Sequence, residues 1–167
     1  MLWLAPAAAL GIVRPMAVTV TRQPRSDAVI QFTVFIPNRI GRLHEVVRLL
    51  SERAVHILAL TVLDTTDSTI LRLIVDDPDS ARPLLEEHSI AFTQTAVVVV
   101  ELQGERQLRD ILAALLEAEL NVHYTYPFLT RPGGKSALVL NVEHPDVASE
   151  SLRRNLFTLL YQGDIAR

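Results

Sequence analysis

Apolar residues along this chain switch between two periods, and the switch happens twice. Ile30, Phe32, Val34 and Ile36 share one side of a period-two run that predicts a strand over Val29–Ile36. Leu43, Val46, Val47 and Leu50 then fall at i, i+3, i+4 and i+7, one face of a helix over Leu43–Ala54. The helical spacing returns 65 positions later in Leu108, Ile111, Leu112 and Leu115, which predicts a helix over Leu108–Ala118. Each helix leads into a strand, a hairpin and another strand. The first copy closes as Ile70-Leu71-Arg72-Leu73-Ile74-Val75-Asp76-Asp77-Pro78-Asp79 and the second as Ala137-Leu138-Val139-Leu140-Asn141-Val142-Glu143-His144-Pro145-Asp146. The offset there is 67, so the second hairpin is two residues longer. Only two units of this length are present, which describes a duplicated small domain and not a solenoid.

The remaining elements follow from turn residues and short apolar runs. Strands are expected at Ile57–Leu63 and Thr69–Val75, joined by Asp64-Thr65-Thr66-Asp67-Ser68, then a helix over about Pro78–Glu87 with Ala81, Leu84, Leu85 and His88 on one stripe. That helix has two possible starts. Asp77 as cap and Pro78 as first residue leave Pro83 inside the helix, whereas a start at Ser80 puts Pro83 in the tolerant first turn. Ala91–Thr95 ends the first unit and Ala96–Leu102 opens the second without a linker. The second unit continues with strand Asn121–Phe128, turn Arg131 to Lys135, strand Ser136–Val142, helix Pro145–Arg154 and a last strand near Leu159–Asp164. The βαββαβ order, performed twice, predicts an α+β fold of two ferredoxin-like units at 29–95 and 96–167, each an antiparallel sheet with its helices on one face. Pairing of the second-strand edges would join them side by side into an eight-stranded sheet. Each unit is small for an independent core, so the two should pack on each other.

Val97, Val98, Val99 and Val100 are apolar on both faces, so that strand must be covered on both sides. With 49% hydrophobic residues and a net charge of −3, the chain carries more apolar surface than two small lobes hide, and a homodimer is expected to cover the face behind the valines. The mildly acidic balance argues against a general nucleic-acid or anionic-membrane binder. There are no cysteines, which excludes disulfides, thiolate nucleophiles and thiolate metal sites. Leu2 to Val13 is an apolar run without the basic start of a secretory signal and too short to span a bilayer. Residues 1–28 therefore read as an extension, with Met16 as an alternative start.

The candidate chemistry lies in Asn38-Arg39-Ile40-Gly41-Arg42-Leu43, between the first strand and the first helix. A helix N-terminus offers free N–H groups and a positive dipole end, Gly41 permits close approach, and Arg39 and Arg42 add positive charge where an unliganded helix favours negative charge. The alternative is an Asx-turn at Asn38, a chain-turning Gly41 and solvated arginines. In the second unit, Gln103-Gly104-Glu105-Arg106-Gln107 sets Arg106 where Gly41 stands, and Glu105 can occupy the helix end with its own carboxylate. Tyr124, Tyr126 and Phe128 fall on one face of the second unit's edge strand, which would bring the two tyrosines near the first unit's loop or simply fill the contact between lobes. The five histidines have no metal-ligand spacing, and no nucleophile elbow, P-loop or dinucleotide fingerprint occurs, so neither enzyme activity nor a metal or cofactor is expected.

The doubled βαββαβ plan and the loop Asn38-Arg39-Ile40-Gly41-Arg42-Leu43 resemble the ACT domain, a small module that binds amino acids and regulates metabolic enzymes. The tandem form without a catalytic domain is similar to stand-alone double-ACT proteins. The resemblance covers roughly residues 29–165 and implies a cytoplasmic, non-enzymatic module that holds a free amino acid between two domains, with Asn38, Ile40, Gly41, Arg42 and Leu43 as ligand-binding positions. A second function is a regulatory or scaffolding subunit of an amino-acid-metabolism enzyme. RNA-recognition domains share the strand order, but Ile70–Val75 and Ser136–Val142 carry none of the aromatics that stack bases there.

Overall fold

The computed structural model describes residues 27–65 and 68–166, so the extension, its apolar run and the Met16 alternative lie outside the described residues. The elements are β1 (Val29–Pro37), α1 (Arg42–Glu52), β2 (Ile57–Asp64), β3 (Ser68–Val75), α2 (Pro78–Glu87), β4 (Ala91–Leu102), α3 (Glu105–Glu117), β5 (Val122–Pro127), β6 (Ser136–Val142), α4 (Pro145–Arg154), β7 (Leu159–Leu160) and α5 (Gln162–Ile165). The last strand is shorter than expected because the chain turns at Tyr161 into α5. Asp77 settles the start of α2: its carboxylate accepts from Ser80 N–H at 3.0 Å, Pro78 is the first residue, and Pro83 sits inside the helix. The hydrogen bonds from Ser80 hold the Asp77 carboxyl below its ordinary pKa.

Each of α1 to α4 ends in one motif. Ala54, Ser89, Glu119 and Leu156 take φ of 56, 53, 56 and 63°, a left-handed conformation usually left to glycine. The next amide then returns to a carbonyl in the last turn: Val55 to Leu50, Ile90 to Leu85, Leu120 to Leu115 and Phe157 to Leu152, each at 3.0 Å. All four accepting residues are buried leucines. Core packing thus fixes where each helix stops.

The ferredoxin-like order appears in both units, as β2-β3-β1-β4 and β5-β6-β4 with β7 on β4. The junction differs from two sheets paired edge to edge: there is one seven-stranded antiparallel sheet, because β4 serves both units. Its N-terminal part pairs with β1 up to Val97, and from Val98 it pairs with β6. The long sheet curls, which brings the two edge strands together at the Ala59–Phe128 bridge and at Leu58 C=O, which accepts from Leu129 N–H at 2.8 Å and Thr130 N–H at 3.4 Å.

Curling turns the helix-free faces of both halves toward each other. Val29, Leu58, Ala59, Ile74, Val97, Val99, Tyr126, Phe128, Ala137 and Val139 form this inner core, while Val98 and Val100 join Ile111, Leu115 and Leu152 under α3 and α4. Phe32, Val34, Leu50, Leu73 and Leu85 form the corresponding core under α1 and α2. The valine run is therefore covered on both sides within one chain, and it does not require the second copy that its composition suggested. Gln162 fastens the C-terminal segment across the junction: its side chain accepts from Ile30 N–H at 3.2 Å and donates to Val75 C=O at 3.1 Å.

Because the inner core belongs to both units, unfolding should be a single cooperative transition. Calorimetry should give equal calorimetric and van't Hoff enthalpies, and Val99→Ala should lower the whole transition by about 1–3 kcal/mol. Two separate transitions would mean that each unit folds alone.

Candidate functional site

The loop between β1 and α1 is built as a turn into an uncapped helix. Gly41 lies at φ 89°, a left-handed conformation, and among the described residues no side chain caps α1, although Arg42 N–H donates to Arg39 C=O at 3.3 Å. A Cβ on Gly41 would meet nothing within 4 Å, so glycine is favoured there by its backbone conformation and not by crowding. Asn38 makes no Asx-turn; its amide donates to Asp64 Oδ1 at 2.8 Å, which ties the loop to the hairpin between β2 and β3. Arg42 bonds Glu45 at 2.6 Å, which offsets its charge, while Ile40 is fully exposed and Leu43 is 38% exposed. Among the described residues the open features are thus the Leu43 and His44 amides, the charge of Arg39 and the apolar tip at Ile40.

In the second unit no side chain caps α3 either, but the loop ahead of it is closed from within and Gly104 is extended, without the left-handed turn of Gly41. Gln107 Oε1 accepts from Gln103 N–H at 2.6 Å, and Glu105 stands in the first turn of α3. Gln107, and not Glu105 alone, closes that loop.

The tyrosines occupy a different place from the loop. Gln31 is wholly buried on the inner face of β1, and its amide joins three side chains: Nε2 donates to Tyr124 Oη at 2.8 Å and Thr33 Oγ1 at 3.1 Å, and Oε1 accepts from Tyr126 at 2.8 Å. Burial, together with Tyr124, pushes the Tyr126 phenol above its ordinary pKa against the pull of Arg72, so the hydroxyl stays protonated and donates. The guanidinium of Arg72 lies 3.7 Å from the centre of the Tyr124 ring. Arg72 pairs with Thr33, five residues along β1 from Asn38, so this cluster is about 15 Å from the loop. Arg72 and Gln31 were absent from the expected site because no local pattern marks them.

A third feature is an open cleft of about 850 Å³ between the units, lined by Asp27, His56, Asp76, Asp79 and Gln162 among others. Its buried Asp76 accepts from His56 N–H at 2.8 Å and bonds the ring Nδ1 at 2.7 Å, which anchors the entry to β2.

The chain belongs to the ACT domain pair family, whose model matches residues 27–167. Among solved structures it is similar to protein BT0572 from Bacteroides thetaiotaomicron, with 28% identity, a TM-score of 0.76, and coverage of 84% of this chain and 96% of that one. It also resembles the ligand-free regulatory subunit of aspartate kinase from Thermus thermophilus, at 16% identity and a TM-score of 0.53 over 77% of this chain and 91% of that one. The corresponding subunit from Thermus flavus gives 14% identity and 0.51 over 78% and 93%. These last two share the fold. No curated protein sequence matches. No described helix is long and apolar enough to cross a membrane.

Removing the Gln31 amide should leave the buried Tyr126 hydroxyl without its partner in the inner core. Gln31→Leu should cost about 1–3 kcal/mol in urea unfolding, and combining it with Tyr126→Phe should recover part of that loss. A neutral Gln31→Leu would show that the cluster is not a buried, satisfied network.

Proposed function

We propose that this protein is a non-enzymatic regulatory module that binds a free amino acid at the loop Asn38 to Leu43. The observation that carries this reading is the uncapped start of α1 behind a left-handed Gly41, in a chain that belongs to the ACT domain pair family. A carboxylate docked on the first amides of α1 gains hydrogen bonds and the favourable end of the helix dipole. Arg39 adds charge, and Ile40 and Leu43 offer apolar contact to a side chain. Tyr124 and Tyr126 stand outside this loop and belong to the junction described above.

The loop lies beyond the end of β1, about 15 Å along the strand from the tyrosine cluster, so a ligand held there between two domains needs a second copy. Leu108, Leu112 and Leu116 form an exposed stripe on α3, at 37, 41 and 76%, and supply apolar surface for such a homodimer. Light scattering at micromolar concentration should give twice the chain mass, and Leu112→Glu should give the monomer. An enzyme of amino-acid metabolism as partner is the second reading, favoured by the likeness to aspartate kinase regulatory subunits; co-purification of a larger enzyme would support it.

A thermal-shift screen against the common amino acids tests the first reading, since a ligand at about 100 times Kd stabilises by roughly 2.7 kcal/mol. Gly41→Asp should weaken the amino acid found by about tenfold or more, through lost access and a like charge beside the carboxylate, while the fold survives. Gly104 and Arg106 variants should do much less. Equal losses from both loops would mean two equivalent sites, and unchanged binding at position 41 would remove the loop from the site.

A further inference from the structure

The inner core does not reach the far end of the first unit's sheet. Register places Thr93, Thr33, Arg72 and Thr61 in one row across β4, β1, β3 and β2, and Ala91, Phe35, Ile70 and Leu63 in the next row on the same face. Phe35 is 41% and Leu63 36% exposed, so the second row is a bare apolar floor beside a polar step. The step is rich in donors. Gln31 donates to both Tyr124 Oη and Thr33 Oγ1, which leaves the protons of those two hydroxyls for another acceptor. Arg72 stacks on Tyr124, and among the described residues it has no ion-pair or hydrogen-bond partner. No acidic residue occurs in either row.

We propose that this mouth of the junction binds a small monocarboxylate bearing an aliphatic or aromatic group. The carboxylate meets Arg72 and the hydroxyls of Thr33 and Tyr124, while the apolar group lies along Phe35, Ile70 and Leu63. A guanidinium already held 3.7 Å over an aromatic ring is restricted before the ligand arrives, and its fork of donors suits bidentate recognition of a carboxylate. The rows provide no carboxylate for an ammonium, so the site favours acids lacking an α-amino group over amino acids. Arg72 and Thr33 come from the first unit and Tyr124 from the second, so occupancy also bridges the two halves of the curled sheet. This site is separate from the loop proposed for amino acids.

Calorimetric titration of the full chain with 3-phenylpropanoate tests the site, with 3-phenylpropanol as the uncharged analogue and phenylalanine as the zwitterion. The acid should bind about tenfold or more tightly than the alcohol or phenylalanine, and Arg72→Gln should lose about tenfold or more. Arg72→Lys should retain part of the affinity, and Gly41→Asp should leave it unchanged. Amide NMR shifts on adding the acid should concentrate at Thr33, Phe35, Thr61 and Ile70; this mapping uses the unaltered chain, so misfolding of a variant cannot imitate it. Equal binding of acid and alcohol, no heat from the acid, or shifts centred on the Gly41 loop would overturn the proposal. An amino acid whose binding depends on Gly41 while 3-phenylpropanoate is silent would leave the regulatory reading intact and remove this one; the reverse pattern would do the opposite.

Discussion

The mutual burial of two helix-free sheet faces is the constraint on which the rest of this structure depends. A ferredoxin-like unit has two layers, and its helices protect only one face of its sheet. Left alone, each half of this chain would present Val29 and Ile74, or Val99 and Val139, to water. Running β4 through both halves makes the curl possible without a linker, and the curl gives each sheet the other as its third layer. The helices remain outside, as do the loops that precede them. The loops that open α1 and α3 are therefore carried on a frame whose centre is continuous.

Gln31 introduces a polar centre into that frame. A fully buried amide in an apolar interface is tolerated because both of its ends are bonded, and each bond reaches a residue fixed by register. An apolar residue would pack with any small slide of one sheet over the other. The amide accepts only the arrangement in which Tyr124, Tyr126 and Thr33 are all in reach, so it selects one relation between the two units. Arg72 on the outer side of Tyr124 extends the same contact toward solvent. Side chains of both units are thereby joined in one hydrogen-bonded cluster across the junction.

The duplication was legible because it is written in local periods. Helical stripes and alternating strands depend on residues a few positions apart, and the bounds of α2, β6 and α4 match those periods. Helix ends were less legible. Ala54, Ser89, Glu119 and Leu156 are none of the residue types that favour a left-handed cap, so their conformation comes from the buried leucine each following amide must reach. Asn38 illustrates a similar limit: its type suggested a bond within its own loop, but the nearest well-placed acceptor was Asp64, brought there by the β1–β3 pairing and the β2–β3 hairpin.

By itself the sequence determined the repeat, the βαββαβ order, the apolar faces that had to be covered and the glycine that opens α1. Tertiary structure decided what covers those faces, and it chose the chain's own other half over a second copy. It also decided which side chains meet: Arg72 and Tyr124 are 52 positions apart, and Gln31 and Tyr126 are 95 apart. Periodicity reports the face on which a residue lies, because that is set by backbone geometry. It does not report the partner across the face, because that depends on how far a shared strand bends and where two distant edges touch.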